Sequence, residues 1–177
     1  MKLILLILAE TKVKKISFGS MGLEVFDDEF IGLYKNKLAT SIQQPATSNR
    51  LSCHFHIPLQ SGCDATLKRM RRRYKISNFQ FLISKLNREI PGFIFSTDIM
   101  VGFPGETEGE FKKTIKFLRE IKKILGNKFT KMHIFRFSAK KGTVAEKMQD
   151  QWGMVSEKEK KRRVELLSFI LMNNLIK

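Results

Sequence analysis

His54 and His56 stand two positions apart in His54-Phe55-His56. On a strand, alternate residues share a face, so both imidazoles point to one side. Such a pair can ligate a metal with His133 as third imidazole; otherwise the rings hydrogen-bond within the fold or behind a site. Cys53 and Cys63 are the two cysteines of the chain. Two thiolates fall short of the set that usually holds an iron–sulfur cluster. One precedes an expected strand and the other follows it, which predicts two unlinked thiols in a reduced protein.

Four segments rich in Gly, Ser or Thr suit close ligand approach. They are Gly19-Ser20-Met21-Gly22, Gln60-Ser61-Gly62-Cys63-Asp64, Gly102-Phe103-Pro104-Gly105-Glu106-Thr107 and Ser138-Ala139-Lys140-Lys141-Gly142-Thr143. Gly lets a ligand near the backbone, and helix N-termini offer amides to anions. Turns that lead from strand to helix need the same residues for capping alone. Neither a Gly-x-Ser-x-Gly elbow nor a Walker loop occurs.

Lys68-Arg69-Met70-Arg71-Arg72-Arg73-Tyr74-Lys75 is the densest basic run. The planar guanidinium suits phosphates and stacks on bases, which points to nucleic acid through Arg69, Arg72 and Arg73. Lys158 to Arg163, flanked by Glu157, Glu159 and Glu165, reads as a solvated helix face.

The elements that position these groups alternate. Strands are expected at Val13–Phe18, Cys53–Leu59, Phe93–Val101 and Phe129–Phe137. Helices are expected at Phe26–Tyr34, Ala65–Arg73, from Ser77 to Pro91-Gly92, after Thr107, and after Ser156. Ser77/Gln80, Thr107/Glu110 and Ser156/Glu159 have capping spacing. Phe111, Ile115, Leu118 and Leu125 form a core-facing stripe, and Val164, Leu167, Ile170 and Leu171 another. Lys37 to Arg50 is polar and reads as a loop. Met1 to Leu8 is apolar but too short to span a bilayer, and reads as the end of a buried helix. Strand and helix in alternation mean parallel strands with crossover helices, and their carboxyl ends hold the functional loops. The expected fold is α/β, a run of about four parallel βα units over 1–177.

The chain has 177 residues, 42% of them apolar, enough for one domain with a core. Fifteen Phe suggest aromatic core filling. Lys and Arg number 33 against 17 acids, a net +16, which favours polyanionic partners and also fits lysines placed wherever solvent allows. A cytosolic location with no membrane association is the expectation.

His54 to Asp64 with Leu67-Lys68-Arg69-Met70 and Arg72-Arg73-Tyr74 resembles the radical S-adenosylmethionine methylthiotransferases. So do Thr97 to Thr107, and His133-Ile134-Phe135 with Ser138, Lys141-Gly142-Thr143 and Ala145 to Met148. Ser61-Gly62-Cys63-Asp64 and Lys147-Met148 with Asp150-Gln151 look like the branch acting on threonylcarbamoyladenosine in tRNA. The resemblance implies S-adenosylmethionine, [4Fe–4S] clusters, a tRNA partner, and methylthiolation at adenosine C2 of position 37. It implies a cofactor-facing rim of Gln60, Ser61, Asp98, Val101, Gly102, Phe103 and Ser138. The family's Cys-x3-Cys-x2-Cys loop, N-terminal methylthiotransferase domain and C-terminal RNA-binding barrel have no counterpart in these residues. The match is to the third to sixth barrel units, so the resemblance turns the run of βα units into an incomplete parallel barrel. The expectation is a fragment inactive alone, with no metal of its own, whose N-terminal part could be a separate chain. Ser20-Met21-Gly22-Leu23 departs from the family's Ser-Ile-Glu-Pro, and Val144 replaces a common proline. The alternatives are a non-catalytic RNA-binding remnant, or a relative acting on isopentenyladenosine or a ribosomal protein.

Overall fold

The computed structural model describes residues 2–40 and 50–172, with side chains through Lys35 and from Arg50 to Ile170. The element order is α1 (Lys2–Glu10), a 3-10 turn (Leu23–Val25), α2 (Asp28–Thr40), β1 (His54–His56), α3 (Asp64–Arg69) and α4 (Ile76–Glu89). It continues with β2 (Ile94–Val101), α5 (Glu108–Leu125), a 3-10 turn (Gly126–Lys128), β3 (Phe129–Arg136), α6 (Val144–Trp152) and α7 (Glu157–Met172). The three strands form an open parallel sheet in the order β1-β2-β3.

The first expected strand is not one. Ile16 and Ser20 make single parallel bridges to Leu51 and His56, extending the order beyond β1 without a continuous ladder. β1 is also shorter than Cys53–Leu59. Pro58 has no amide to donate, and the Thr97 hydroxyl accepts from Leu59 N at 2.9 Å in place of a β2 carbonyl. Pairing resumes where Gln60 N donates to Asp98 O at 2.8 Å. The strand end is therefore kinked, and Gln60 takes φ 65°.

The sheet has two unlike faces. Phe55, Phe95, Thr97, Ile99 and Val101 are buried beneath the helices, where Phe79, Phe111, Phe117 and Leu118 meet them. Aromatic rings do fill this core: Phe55 packs against Phe18, Phe26, Phe30, Tyr34 and Phe93. Across the sheet, His54, His56, Ser96, Asp98, Lys131 and His133 share the open face, as the register requires.

The stripe of α5 is buried as its periodicity demands; in α7 Leu167 is fully buried and Val164 and Ile170 pack partly buried beside it, while the Leu171 side chain lies outside the described residues. Thr107 and Glu110 cap α5 reciprocally, and Ser156 accepts from Glu159 N at 3.2 Å. The Ser77/Gln80 box is not used. Helix α4 begins one residue earlier, with Ile76 N donating to Asp64 Oδ1 at 2.7 Å and Lys75 N to Asn78 Oδ1 at 3.0 Å. Lys37 to Thr40 continue α2 instead of opening a loop, and the rest of that stretch through Asn49 lies outside the described residues. Helix α1 forms, but it is not buried: Leu3, Leu5 and Leu6 are exposed, and Ile4 and Leu8 touch the core edge. Arg50 fastens its end by donating to the carbonyls of Leu8, Thr11 and Val13, each at 2.7 Å.

Gly62 abuts α5. A Cβ there would lie 2.6 Å from Thr114 Cα, which is backbone and cannot swing away. Gly62→Ala should cost about 2 kcal/mol of stability by overpacking, read from urea unfolding. An unchanged midpoint would show that the two elements separate easily.

Candidate functional site

The carboxyl ends of the strands carry two built features and one exposed basic turn. The first feature is the Gly102–Thr107 loop after β2. Gly102 takes φ 75° and its amide donates to Glu106 Oε2 at 2.6 Å. Glu106 also receives Arg163 Nη1 at 2.8 Å, and that nitrogen lies 3.2 Å from Glu106 O. Both side chains are sealed, at 1% and 4% exposure. Burial raises the Glu106 carboxyl above its ordinary value, opposed by the Gly102 amide and Arg163. Arg163 is further tied to Glu159 at 2.8 Å. One turn earlier, Lys160 Nζ donates to Phe137 O at 3.0 Å and to Glu157 at 2.8 Å. Its stem covers Gly102 so closely that a Cβ there would collide with Lys160 Cγ.

These contacts correct the reading of Lys158 to Arg163 as a solvated face. Lys160 and Arg163 are buried struts that fix the loops after β2 and β3, while Lys158, Lys161 and Arg162 face solvent.

The expected rim residues divide accordingly. Asp98 and Gln60 sit side by side through the backbone bond above. Gly102 and Phe103 lie in the clamped loop, with the Phe103 ring 5.2 Å from Phe137, and Ser138 follows exposed. Ser61 and Val101 are fully buried. The Ser61 hydroxyl lies 3.3 Å from that of Thr114 and accepts from Cys63 N, so its side chain turns toward α5 and away from the rim.

The second feature is an ion pair under the basic run. Arg69 Nη1 donates to Glu110 Oε1 at 3.0 Å, and its guanidinium lies 5.8 Å from the Trp152 ring centroid. Burial alone would raise the Glu110 carboxyl, but Arg69 and the Thr107 amide more than offset this and leave it lowered. Arg69 is therefore an internal brace. Helix α3 ends at Arg69, so Arg72 and Arg73 are not on a helix as expected. Arg71 adopts φ 56°, a left-handed turn that glycine and asparagine adopt readily and arginine only at a cost, and Arg72 N closes back on Leu67 O at 2.9 Å. Tyr74 anchors the turn by donating to Leu59 O at 2.9 Å, and burial pushes its phenol up to about 12. Arg71, Arg72 and Arg73 are exposed and make no ion pair among the described residues. With Tyr74, Pro58, Ser20, Gly22 and Glu24 they border a groove of about 590 Å³ beside the end of β1.

On the open face, Ser96 Oγ lies 2.9 Å from His54 Nε2 and 3.1 Å from His56 Nδ1. His56 Nε2 meets Asp98 Oδ2 at 3.0 Å, and the His133 ring is 5.8 Å from that of His56. The imidazoles of His54 and His56 are thus engaged by hydrogen bonds, and no group of three or more metal-ligating side chains occurs among the described residues. No disulfide joins Cys53 to buried Cys63. The donor set does not fit an iron–sulfur cluster. No helix among the described residues is long and apolar enough to cross a membrane.

Sequence reading missed helix α6, although Thr143 and Glu146 have the capping spacing that marks it, and Thr143 Oγ1 does accept from Glu146 N. It also missed the Arg163–Glu106 pair, for which a run of lysines and arginines offers no local signal.

Residues 48–118 match the Radical SAM superfamily. Over 153 residues the chain is 38% identical to the threonylcarbamoyladenosine tRNA methylthiotransferase MtaB of Thermotoga maritima, a match covering 86% of this chain and 31% of that protein. Over 98 residues it is 47% identical to the tRNA-2-methylthio-N(6)-dimethylallyladenosine synthase of Methylacidiphilum infernorum, covering 55% and 20%. Coproporphyrinogen III oxidase of Escherichia coli, described as a radical SAM enzyme, superposes with a TM-score of 0.61 at 14% identity, over 89% of this chain and 32% of that one. This last likeness concerns the fold alone. The chain spans less than a third of the length of these relatives.

Proposed function

Proceeding from a chain related in sequence to the radical SAM methylthiotransferases, we propose that it forms the tRNA-facing part of a partial radical SAM barrel that methylthiolates C2 of N6-threonylcarbamoyladenosine at tRNA position 37. The observation that carries this reading is the Arg71–Arg73 turn, exposed and making no ion pair among the described residues, beside the strand ends. Fixed positive charge at a loop mouth suits the phosphates flanking a modified base. In this reading Arg71, Arg72 and Arg73 meet the RNA, and Arg69 supports the turn from below.

S-adenosylmethionine would lie against Gln60, Asp98, Gly102, Phe103 and Ser138, with Ser61 and Val101 contributing main chain, and would supply the radical precursor and the methyl group. The clamped Glu106 keeps the Gly102 amide oriented, and the Phe103–Phe137 pair closes that side to water. The thiolates for a cluster come, in this reading, from residues outside these 177, on the same or another polypeptide, so the chain alone is inactive.

Isopentenyladenosine is the second reading, favoured by the 47% match to a dimethylallyladenosine synthase. Labelled anticodon stem-loops bearing adenosine, threonylcarbamoyladenosine or isopentenyladenosine at position 37 separate the readings. In an anisotropy titration the threonylcarbamoyl form should bind about tenfold more tightly than plain adenosine, roughly one good polar contact to the side chain. Preference for the isopentenyl form selects the second reading. Equal binding of all three would reduce the chain to an RNA-binding module without base recognition.

A further inference from the structure

The open face of the sheet carries four polar side chains in series: His54, Ser96, His56 and Asp98, linked at 2.9, 3.1 and 3.0 Å. With Asp98 ionised and both imidazoles neutral, donor counting fixes the direction of each bond. An ionised Asp98 only accepts, so His56 Nε2 must carry its hydrogen toward it. With that imidazole neutral, His56 Nδ1 is the acceptor and takes the single hydroxyl hydrogen of Ser96. Ser96 Oγ then accepts from Nε2–H of His54. Both rings are thereby held in the same tautomer, set by their neighbours.

We propose that His54, Ser96, His56 and Asp98 form a polarised relay that moves a proton between exposed His54 and the Asp98 carboxylate, serving a proton-exchanging group of a ligand on this face. In the inward stroke a solvent proton binds His54 Nδ1, and the His54 Nε2 hydrogen passes to Ser96 Oγ. The former Ser96 hydrogen passes to His56 Nδ1, and the His56 Nε2 hydrogen passes to Asp98 Oδ2. Every group gains one hydrogen and releases one, except Asp98, which ends protonated. No electron moves. The outward stroke is the reverse.

The geometry suits transfer over mere attachment. His54 is exposed, His56 and Asp98 are about one-fifth exposed, and Ser96 is sealed at 2%, so the link between the two rings is shielded from competing water. The other titratable groups facing the chain come from β3: Lys131 opposite Ser96 and His133 opposite Asp98. From the other edge, Ser20 bridges His56 and carries no charge. The inference rests on the proposed function only for the ligand, a purine ring there. Its test needs no ligand, RNA or turnover, so the two can fail separately.

The test is heteronuclear NMR of the chain labelled with ¹⁵N-histidine. At neutral pH both His54 and His56 should carry hydrogen on Nε2 alone. The His56 ring hydrogen should also exchange with solvent through this path. In Ser96→Ala, His54 should lose its single tautomer and exchange at the His56 ring should slow about tenfold, while His56 keeps Nε2–H. If that variant misfolds, His54→Gln at the exposed end serves instead, and it should slow the same exchange. A wild-type His56 protonated on Nδ1 overturns the relay. So does an exchange rate at His56 left unchanged by either substitution in folded protein, which would leave the four residues as a plain interstrand fastening.

Discussion

Replacing Arg163 with alanine lowers stability by about 3–5 kcal/mol near neutral pH, because it leaves the Glu106 carboxylate buried without its counterion. The pair is sealed on both sides and 57 residues apart in sequence, so no local rearrangement supplies a substitute. The loss has a pH signature. Burial already raises Glu106 above its ordinary 4.5 in the folded chain. A raised carboxyl binds its proton more tightly when folded, so its contribution is greatest in acid and declines as pH rises from 4.5 through the folded value. Without Arg163 that value climbs further and the decline becomes larger. The deficit of the variant is therefore smaller at about pH 5 than at about pH 8. Urea unfolding of both proteins at the two values measures it. The double variant Arg163→Met with Glu106→Gln keeps an acceptor for the Gly102 amide without a charge, and should recover most of the loss. A deficit under about 1 kcal/mol, or one independent of pH, would mean that water reaches the pair.

RNA affinity falls about 100-fold at ~0.1 M salt when the exposed arginine turn is neutralised as Arg71→Asn, Arg72→Ala and Arg73→Ala, and the salt-dependence slope drops by roughly two to three. Asparagine is chosen at 71 because it tolerates the left-handed backbone there. Each arginine that meets a phosphate releases condensed counterions, so the drop in slope measures how many phosphates the turn neutralises. The control is Lys158→Ala with Lys161→Ala, at exposed positions of α7 that leave the Lys160 and Arg163 struts in place. Anisotropy titrations at several salt concentrations compare the two. Equal losses per charge removed would leave only general basicity, and the groove beside β1 would have no special claim on RNA. Arg69 is kept in both proteins, since its loss would unseat Glu110 and mix a folding defect into the binding data.

The sequence by itself determined what depends on neighbours a few residues apart. The apolar stripe of α5, its Thr107/Glu110 cap, the buried run of β2 and the shared face of His54 and His56 all follow from the 3.6 and 2.0 periods of helix and strand. The positions of the glycine-rich loops at strand ends follow from the same alternation. Tertiary structure alone decided which charges are free. Arg69, Arg72 and Arg163 look alike within basic runs, yet Arg69 braces Glu110, Arg163 is sealed against Glu106, and Arg72 is left to solvent. Burial of a guanidinium depends on a carboxylate brought near by the fold, 41 or 57 residues away, and no local period encodes that distance. The same holds where helix α3 stops. No glycine or proline marks the end; Tyr74, anchored on Leu59, draws the chain back and Arg71 takes the left-handed turn. The composition of Val13–Phe18 suits a strand, but a ladder needs a partner in register. Around that stretch only Ile16 and Ser20 find one among the described residues.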